Sequence, residues 1–304
     1  MKLADTVITW YGELTTRRRL LKRGLVLLLP GMLWLILFLV LPGIVLVVVS
    51  VLSRGSYGQV EYVFTLENYR RLAGFSFFGW TGDYLLIIWR SVVVAFVTTL
   101  ISVLLSYPLC FFIAGRPERR RYMWLTLVII PFWTNMVIRT YAWFLILSPE
   151  MPVARLAALL GFIPRGAPLY PNAFAVYLGM VSMFLPFVTL PLYASVERLD
   201  WSLVEAAQDL YASRVRVFIH AILPQTMPGL SVGIILTFVP AMGMFVVPDL
   251  LGGAKYMLIG NLIQQQFGPS RDWPFGAAIS MALMVLTLIG LRIYRRRSRE
   301  VEYL

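Results

Sequence analysis

The sequence has one cysteine and one histidine in 304 residues. The lone Cys110 excludes an intrachain disulfide, and its place inside an apolar run assigns it to packing. The lone His220 excludes the paired-histidine sites of most zinc enzymes and a histidine-based proton relay, and no metal site is expected. Charge is scarce: 14% of residues are Asp, Glu, Lys or Arg, where a soluble domain carries about a quarter. No G-x-x-x-x-G-K-[ST] phosphate loop occurs, so the chain lacks the usual means of holding and hydrolysing ATP. An H-E-x-x-H pair is absent, and no strand–turn–helix nucleophile elbow is expected. No catalytic residue is assigned, and no cofactor is expected on this chain.

What is present is apolar. Hydrophobic residues make up 59% of the chain and the mean hydropathy is +0.77. These values exclude an ordinary soluble domain and indicate a polytopic membrane protein of all-α class. Six runs are long enough to span a bilayer, which takes ~20 apolar residues: Gly24–Ser53, Tyr84–Gly115, Tyr122–Ser148, Ala173–Val196, Gly229–Val247 and Pro274–Tyr294. Residues 24–294 thus form one transmembrane domain. Residues 1–23 place Leu3, Val7, Trp10, Tyr11 and Leu14 at helical spacing before Arg17-Arg18-Arg19, which predicts an amphipathic helix on the membrane surface. A further interfacial helix is expected over Val153–Leu160. No internal repeat or low-complexity segment stands out.

The net charge of +12 is spread in short basic runs beside apolar segments, which reads as orientation rather than nucleic-acid binding. Residues 1–23, 116–121, 197–228 and 292–304 carry 6, 4, 3 and 5 lysines and arginines. The segments 54–83, 149–172 and 248–273 carry 3, 2 and 2. Both termini, the tail 295–304 and the 197–228 loop are therefore expected on the cytoplasmic side.

That loop is the longest charged stretch of the C-terminal half. Ser202-x-x-Glu205 has capping-box spacing, and Ala206, Ala207, Leu210 and Tyr211 follow at helical intervals. A second short helix is expected over Arg214–Ile222, with Val217 and Phe218 on its apolar side and Pro224 and Pro228 ending it. The physical reading is a helix–turn–helix between two spans with one face free for a partner. The order Glu205-Ala206-Ala207, Ala212, Phe218, Ile222, Leu223-Pro224 and Pro228 resembles the EAA loop of ABC importer permeases. In that family the loop docks into a cleft on the ATPase subunit. The resemblance implies coupling roles for Glu205, Ala206, Ala207, Tyr211, Ala212, Arg214, Arg216 and Phe218, with His220 on the polar face. Tyr211 stands where the family usually has glycine, a residue suited to positive φ.

Two more stretches narrow the resemblance. They are Pro131-Phe132-Trp133-Thr134-Asn135 with Ile138-Arg139-Thr140-Tyr141-Ala142-Trp143, and the run from Pro240 through Pro248-Asp249-Leu250-Leu251-Gly252-Gly253 to Arg271-Asp272-Trp273-Pro274-Phe275-Gly276. Both are similar to spermidine/putrescine importer permeases, the PotB/PotH-like family. The resemblance implies the helical core of a type I importer in the bacterial inner membrane. It also implies a second, distinct permease, a pair of ATPase subunits holding ATP and Mg, and a periplasmic substrate-binding protein.

A polyamine path calls for carboxylates and aromatic faces. Asp249, at the outer end of the fifth span, is the favoured carboxylate, against a local cap or a hydrogen bond with Gly252, Gly253 or Lys255. Asp272 reads equally as half of a surface pair with Arg271. Trp133 and Tyr141, eight residues apart on one expected helix, point to similar sides. For both, path lining stands beside plain packing, and Phe245 is a candidate gate. Arg139 costs about 2.5–3.5 kcal/mol in a span, and it is expected to face away from the path as a clamp on backbone carbonyls or on a partner's carboxylate. A permease for iron, phosphonate or an amino-acid-derived solute, and an ATPase-independent channel or carrier, are the alternatives.

Overall fold

The computed structural model of the protein describes residues 27–76, 79–164, 166–253 and 256–302. The expected surface helix over residues 1–23, Lys255 and the last two residues of the tail lie outside them. In chain order, α1 (Leu27–Ser50) leads into a hairpin of β1 (Leu52–Arg54) and β2 (Val60–Phe64), helix α2 (Glu67–Leu72), and a second hairpin of β3 (Phe75–Ser76) and β4 (Gly79–Trp80). Then come α3 (Asp83–Ala114), α4 (Glu118–Trp133), α5 (Met136–Ile146), α6 (Pro152–Leu159) and α7 (Ala173–Glu197). The chain closes with α8 (Trp201–Asp209), α9 (Arg214–Met242), α10 (Val246–Gly252), α11 (Ile259–Phe267) and α12 (Trp273–Glu302).

Among the described residues, α1, α3, α7, α9 and the apolar part of α12 are each long and apolar enough to cross a membrane. The sixth crossing is the pair α4 and α5, bent by 95° at Thr134–Asn135. The expected straight third span over Tyr122–Ser148 is therefore corrected. Pro131 removes a helical donor one turn before the break. Thr134 is extended, and its hydroxyl donates to the Pro131 carbonyl at 2.7 Å. The Asn135 side chain then accepts from the Val137 amide at 2.8 Å and starts α5 afresh.

The centre of the bundle is α7, packed against both α3 and α9. Polar side chains stitch these helices together in place of a water-driven core. The Ser106 and Thr189 hydroxyls lie 2.9 Å apart, Tyr107 meets Thr226 at 3.0 Å, and the fully buried Cys110 donates to the Thr189 carbonyl at 3.4 Å. Gly229 and Gly233, one helical turn apart, let α9 approach α7 backbone to backbone. A Cβ on Gly229 would collide with the Pro191 carbonyl, and one on Gly233 would stand 3.0 Å from Val188 Cα. These glycines bracket Ser231 in a G-x-S-x-G spacing, but mid-helix, where they serve packing and form no elbow.

Pro224 and Pro228 also lie inside α9 and do not end a helix as expected. A π-helical segment over Phe218–Ile222 precedes them, so the second helix of the charged loop runs straight into the fifth span. At the opposite end of the bundle, α2 docks on α12 through an ion cluster. Arg71 reaches Asp272 at 2.8 Å and lies 4.0 Å from the Phe275 ring centre, and Arg54 sits 3.7 Å from the same carboxylate. Burial pulls the Arg71 pKa down, but its contacts with Tyr84 and Asp272 outweigh this and hold it above the ordinary value. Asp272 is buried and also accepts from the Phe275 amide. The expected surface pair with Arg271 is replaced by this inward cluster.

The glycine contact is open to test. Gly229→Ala should lower stability by about 1–3 kcal/mol through overpacking, whereas Gly290→Ala, with only Phe238 nearby at 4.0 Å, should be neutral or stabilising by up to about 1 kcal/mol. Thermal unfolding of the detergent-solubilised protein would separate the two.

Candidate functional site

The charged loop between α7 and α9 is a small folded unit. Leu199, Val204, Val217 and Ala221 form its core, with Ala207, Ala212 and Ile222 packed on them. Asp200, rather than Ser202, caps α8: its carboxylate accepts from the Ser202 amide at 2.9 Å and the Ser202 hydroxyl at 2.7 Å. The capping box expected from Ser202 and Glu205 is thereby corrected, and Glu205 stands exposed on the outer face. The Asp200 amide also donates to Gln225, tying the loop's entry to its exit at 2.9 Å.

The turn at the tip ends α8 in a Schellman arrangement. The Tyr211 amide bonds the Gln208 carbonyl at 2.9 Å, and the Ala212 amide bonds the Ala207 carbonyl at 3.2 Å. Such a turn needs a left-handed residue, and Tyr211 supplies it at φ 55°. A side chain in that conformation costs roughly 1–2 kcal/mol relative to glycine. The geometry that glycine would favour is therefore kept, under strain.

The expected coupling residues divide into two groups. Glu205, Ala206, Tyr211, Arg214 and Arg216 are exposed, as is His220, whose Nδ1 lies 3.0 Å from the Arg216 carbonyl. Ala207 and Ala212 instead face the loop's own core. Phe218 turns toward the bundle, edge-on to Tyr107 of α3 at 5.3 Å between ring centres. Phe218 thus links the loop to the spans and is not part of its free face. Beside the loop, Arg121 pairs with Glu197 at 3.5 Å and donates to the Arg116 carbonyl, while Tyr193 donates to Glu197 at 2.9 Å.

At the far end of the bundle, the fifth span stops at Met242, earlier than the expected Val247. Phe245, 40% exposed, lies in the break and precedes α10, which carries Asp249. The Asp249 side chain is exposed and makes no hydrogen bond or ion pair among the described residues. A local cap through Gly252 or Gly253 is not formed. The break is held from outside by Asn261 of α11. Its amide nitrogen donates to the Phe245 carbonyl at 2.9 Å, and its oxygen accepts from the Leu258 amide at 3.3 Å. The sequence pattern assigns Asn261 no role, because nothing in one dimension brings it to Phe245.

Trp133 and Tyr141 do not share a helix face. Trp133 ends α4 and is 81% exposed, whereas Tyr141 sits on α5 beyond the 95° bend, with its ring against Phe144. The α10 helix bearing Asp249 packs on α5, so Tyr141 and Asp249 lie on neighbouring helices, while Trp133 lies across the break. Trp143 points inward and donates to Ser182 at 2.8 Å. Below the bend, Ile129, Phe132, Pro186, Phe187, Leu190, Pro191 and Leu236 line a wholly apolar cleft of about 310 Å³. Arg139 has buried Nε and Nη1 atoms without an acceptor, so the expected clamp on carbonyls of this chain is absent among the described residues.

A family model described as "binding-protein-dependent transport system inner membrane component" matches residues 106–303. The spermidine/putrescine transport system permease protein PotB of Salmonella typhimurium (strain SL1344) is 43% identical over 266 residues, covering 88% of this chain and 90% of its own. PotB of Escherichia coli (strain K12) is 42% identical, covering 88% and 94%. Among solved structures, a bacterial alginate ABC transporter in complex with alginate pentasaccharide-bound periplasmic protein superposes with a TM-score of 0.68 at 16% identity. That match covers 94% of this chain and 96% of the other. The inward-facing MetNI methionine ABC transporter gives a TM-score of 0.53 at 15% identity, over 71% and 95%. These two likenesses speak for the fold alone. The six crossings, the folded inter-span loop and a family match that takes in this loop and the last four crossings agree: the chain belongs to the family of binding-protein-dependent transport system inner membrane components.

Proposed function

We propose that the chain is the permease of an ATP-driven importer for polyamines, spermidine or putrescine. The observation that carries this reading is the 42–43% identity, over 88% of the chain, to permeases named for that substrate pair. The chemistry of the far end is compatible with it. An organic polycation entering there meets Asp249, an exposed carboxylate with no side-chain partner among the described residues, on a helix that packs beside the Tyr141 helix. Carboxylates and aromatic faces are the groups that hold ammonium ions.

In this reading the 197–228 loop faces the cytoplasm, as the basic residues argue, and the hairpins and Asp249 face the periplasm. A binding protein delivers the substrate at the hairpin end. A second, distinct permease completes the path. ATP and Mg bind on a separate pair of ATPase subunits, which take the exposed face of α8 and the start of α9 into a cleft. Closure of that pair moves the loop as a unit, because the loop has its own core and is tied to α3 through Phe218 and Tyr107. The displacement then passes along α9, which is continuous from Arg214 to Met242.

Two substitutions test the two ends. Asp249→Asn should lower ATP-dependent spermidine uptake into vesicles holding the full transporter by about tenfold, equivalent to roughly 1.4 kcal/mol. ATPase assembly should be unaffected, and undiminished uptake would remove Asp249 from the path. At the loop, Ala206→Asp places a charge on the exposed face without entering the loop's core. It should weaken ATPase binding by about tenfold or more, since an unpaired charge in a contact costs over ~1 kcal/mol. Co-purification of the subunits reads this out, and intact binding would refute docking through this face.

A further inference from the structure

Tyr211 combines two features that sit badly together for a bulky side chain. Its backbone is left-handed at φ 55°, the conformation least suited to a bulky side chain. Its side chain is 98% exposed, the most exposed large apolar side chain among the described residues. Its ring and hydroxyl make no hydrogen bond, ion pair or ring contact among the described residues. The turn's backbone hydrogen bonds hold the left-handed conformation, but they do not call for a bulky side chain there, and the ring gains no contact among the described residues that offsets its strain. A bulky residue at a left-handed position that glycine would fill without strain points to a role for its side chain outside the fold.

The neighbourhood says what kind of role. Leu210 is 82% exposed and Val215 67% exposed, so the tip carries an apolar cluster. Around it the exposed residues are polar or charged: Gln208, Asp209, Ser213, Arg214 and Arg216. The cluster is rigidly mounted by the turn's two backbone hydrogen bonds and by the loop core just beneath it. A tyrosine on such a mount presents a large contact area with little side-chain entropy to lose.

We infer that Tyr211, with Leu210, is an apolar anchor that inserts into a pocket on the ATPase subunit. This rests on the docking proposed above, and it adds the chemistry of the partner's surface. The pocket is apolar and wide enough for a tyrosine ring. Its rim is acidic on the side that meets Arg214 and Arg216, which follow the anchor in sequence and are both exposed. The anchor is thus a determinant of which ATPase this permease accepts, since a cleft shaped for a flat turn would clash with the ring.

The experiment uses the full permease complex in detergent, with its ATPase subunit titrated in. Three variants are compared with the parent protein: Tyr211→Gly, Tyr211→Phe and Ala206→Asp. For Tyr211→Gly the inference expects opposite movements: the thermal midpoint of the permease rises as strain is released, while ATPase affinity falls at least tenfold. A residue that only shaped the turn would raise stability and leave affinity alone. Tyr211→Phe should stay within about threefold of the parent affinity, because the ring supplies the contact. If Tyr211→Gly binds as tightly as the parent while Ala206→Asp does not, the anchor is refuted and docking through the loop stands. If both bind as tightly as the parent, the docking reading falls with it.

Discussion

The structure depends on one constraint: in an apolar solvent, every backbone group freed by a break in a helix needs a partner from inside the protein. At three places where a helix starts or gives way, a short amide side chain is the polar escort. Asn135 restarts the chain after the 95° bend. Asn261 crosses from a neighbouring helix to the Phe245 carbonyl where the fifth span gives way to α10. Asn172 accepts from the Ala175 amide at the start of α7. Breaks of this kind are tolerated in membranes only when so satisfied, which is why short amides recur at them.

The same economy explains the bundle's centre. Lipid tails offer helices no hydrophobic incentive to associate, so contact relies on close packing and hydrogen bonds. Gly229 and Gly233 bring α9 onto α7, and the hydroxyls of Ser106, Thr189, Tyr107 and Thr226 bridge the seams. The charged loop stands on this rigid base. Phe218 against Tyr107 and Gln225 on the Asp200 amide fasten it at two points. A push on the loop therefore reaches the spans without first deforming the loop.

Much of this was legible in the residues. Long apolar runs bounded by basic clusters imply the crossings, because length and hydropathy alone decide whether a helix can span. The order of Glu205-Ala206-Ala207 through Pro228 marked the loop, whereas a tyrosine in place of the usual glycine left the turn's geometry open until the structure showed Tyr211 left-handed. Ser202 and Glu205 misled, since Asp200 two residues earlier offers a carboxylate that outcompetes a hydroxyl for the first amides of α8. Pro224 and Pro228 misled too. The preceding π-helical segment shifts the hydrogen-bond register, so α9 absorbs both prolines near its start.

By itself, then, the sequence determined the class, the crossings and the place of the loop, because these follow from local composition and spacing. Only the tertiary structure decided which side chains meet. It parted Trp133 from Tyr141 by a bend that periodicity cannot reveal, and it drew Asp272 inward to Arg71 across 201 residues. It left the side chains of Asp249 and Tyr211 facing outward, without partners among the described residues. Such pairings are set by the packing of distant helices, and a linear pattern carries no record of distance through space.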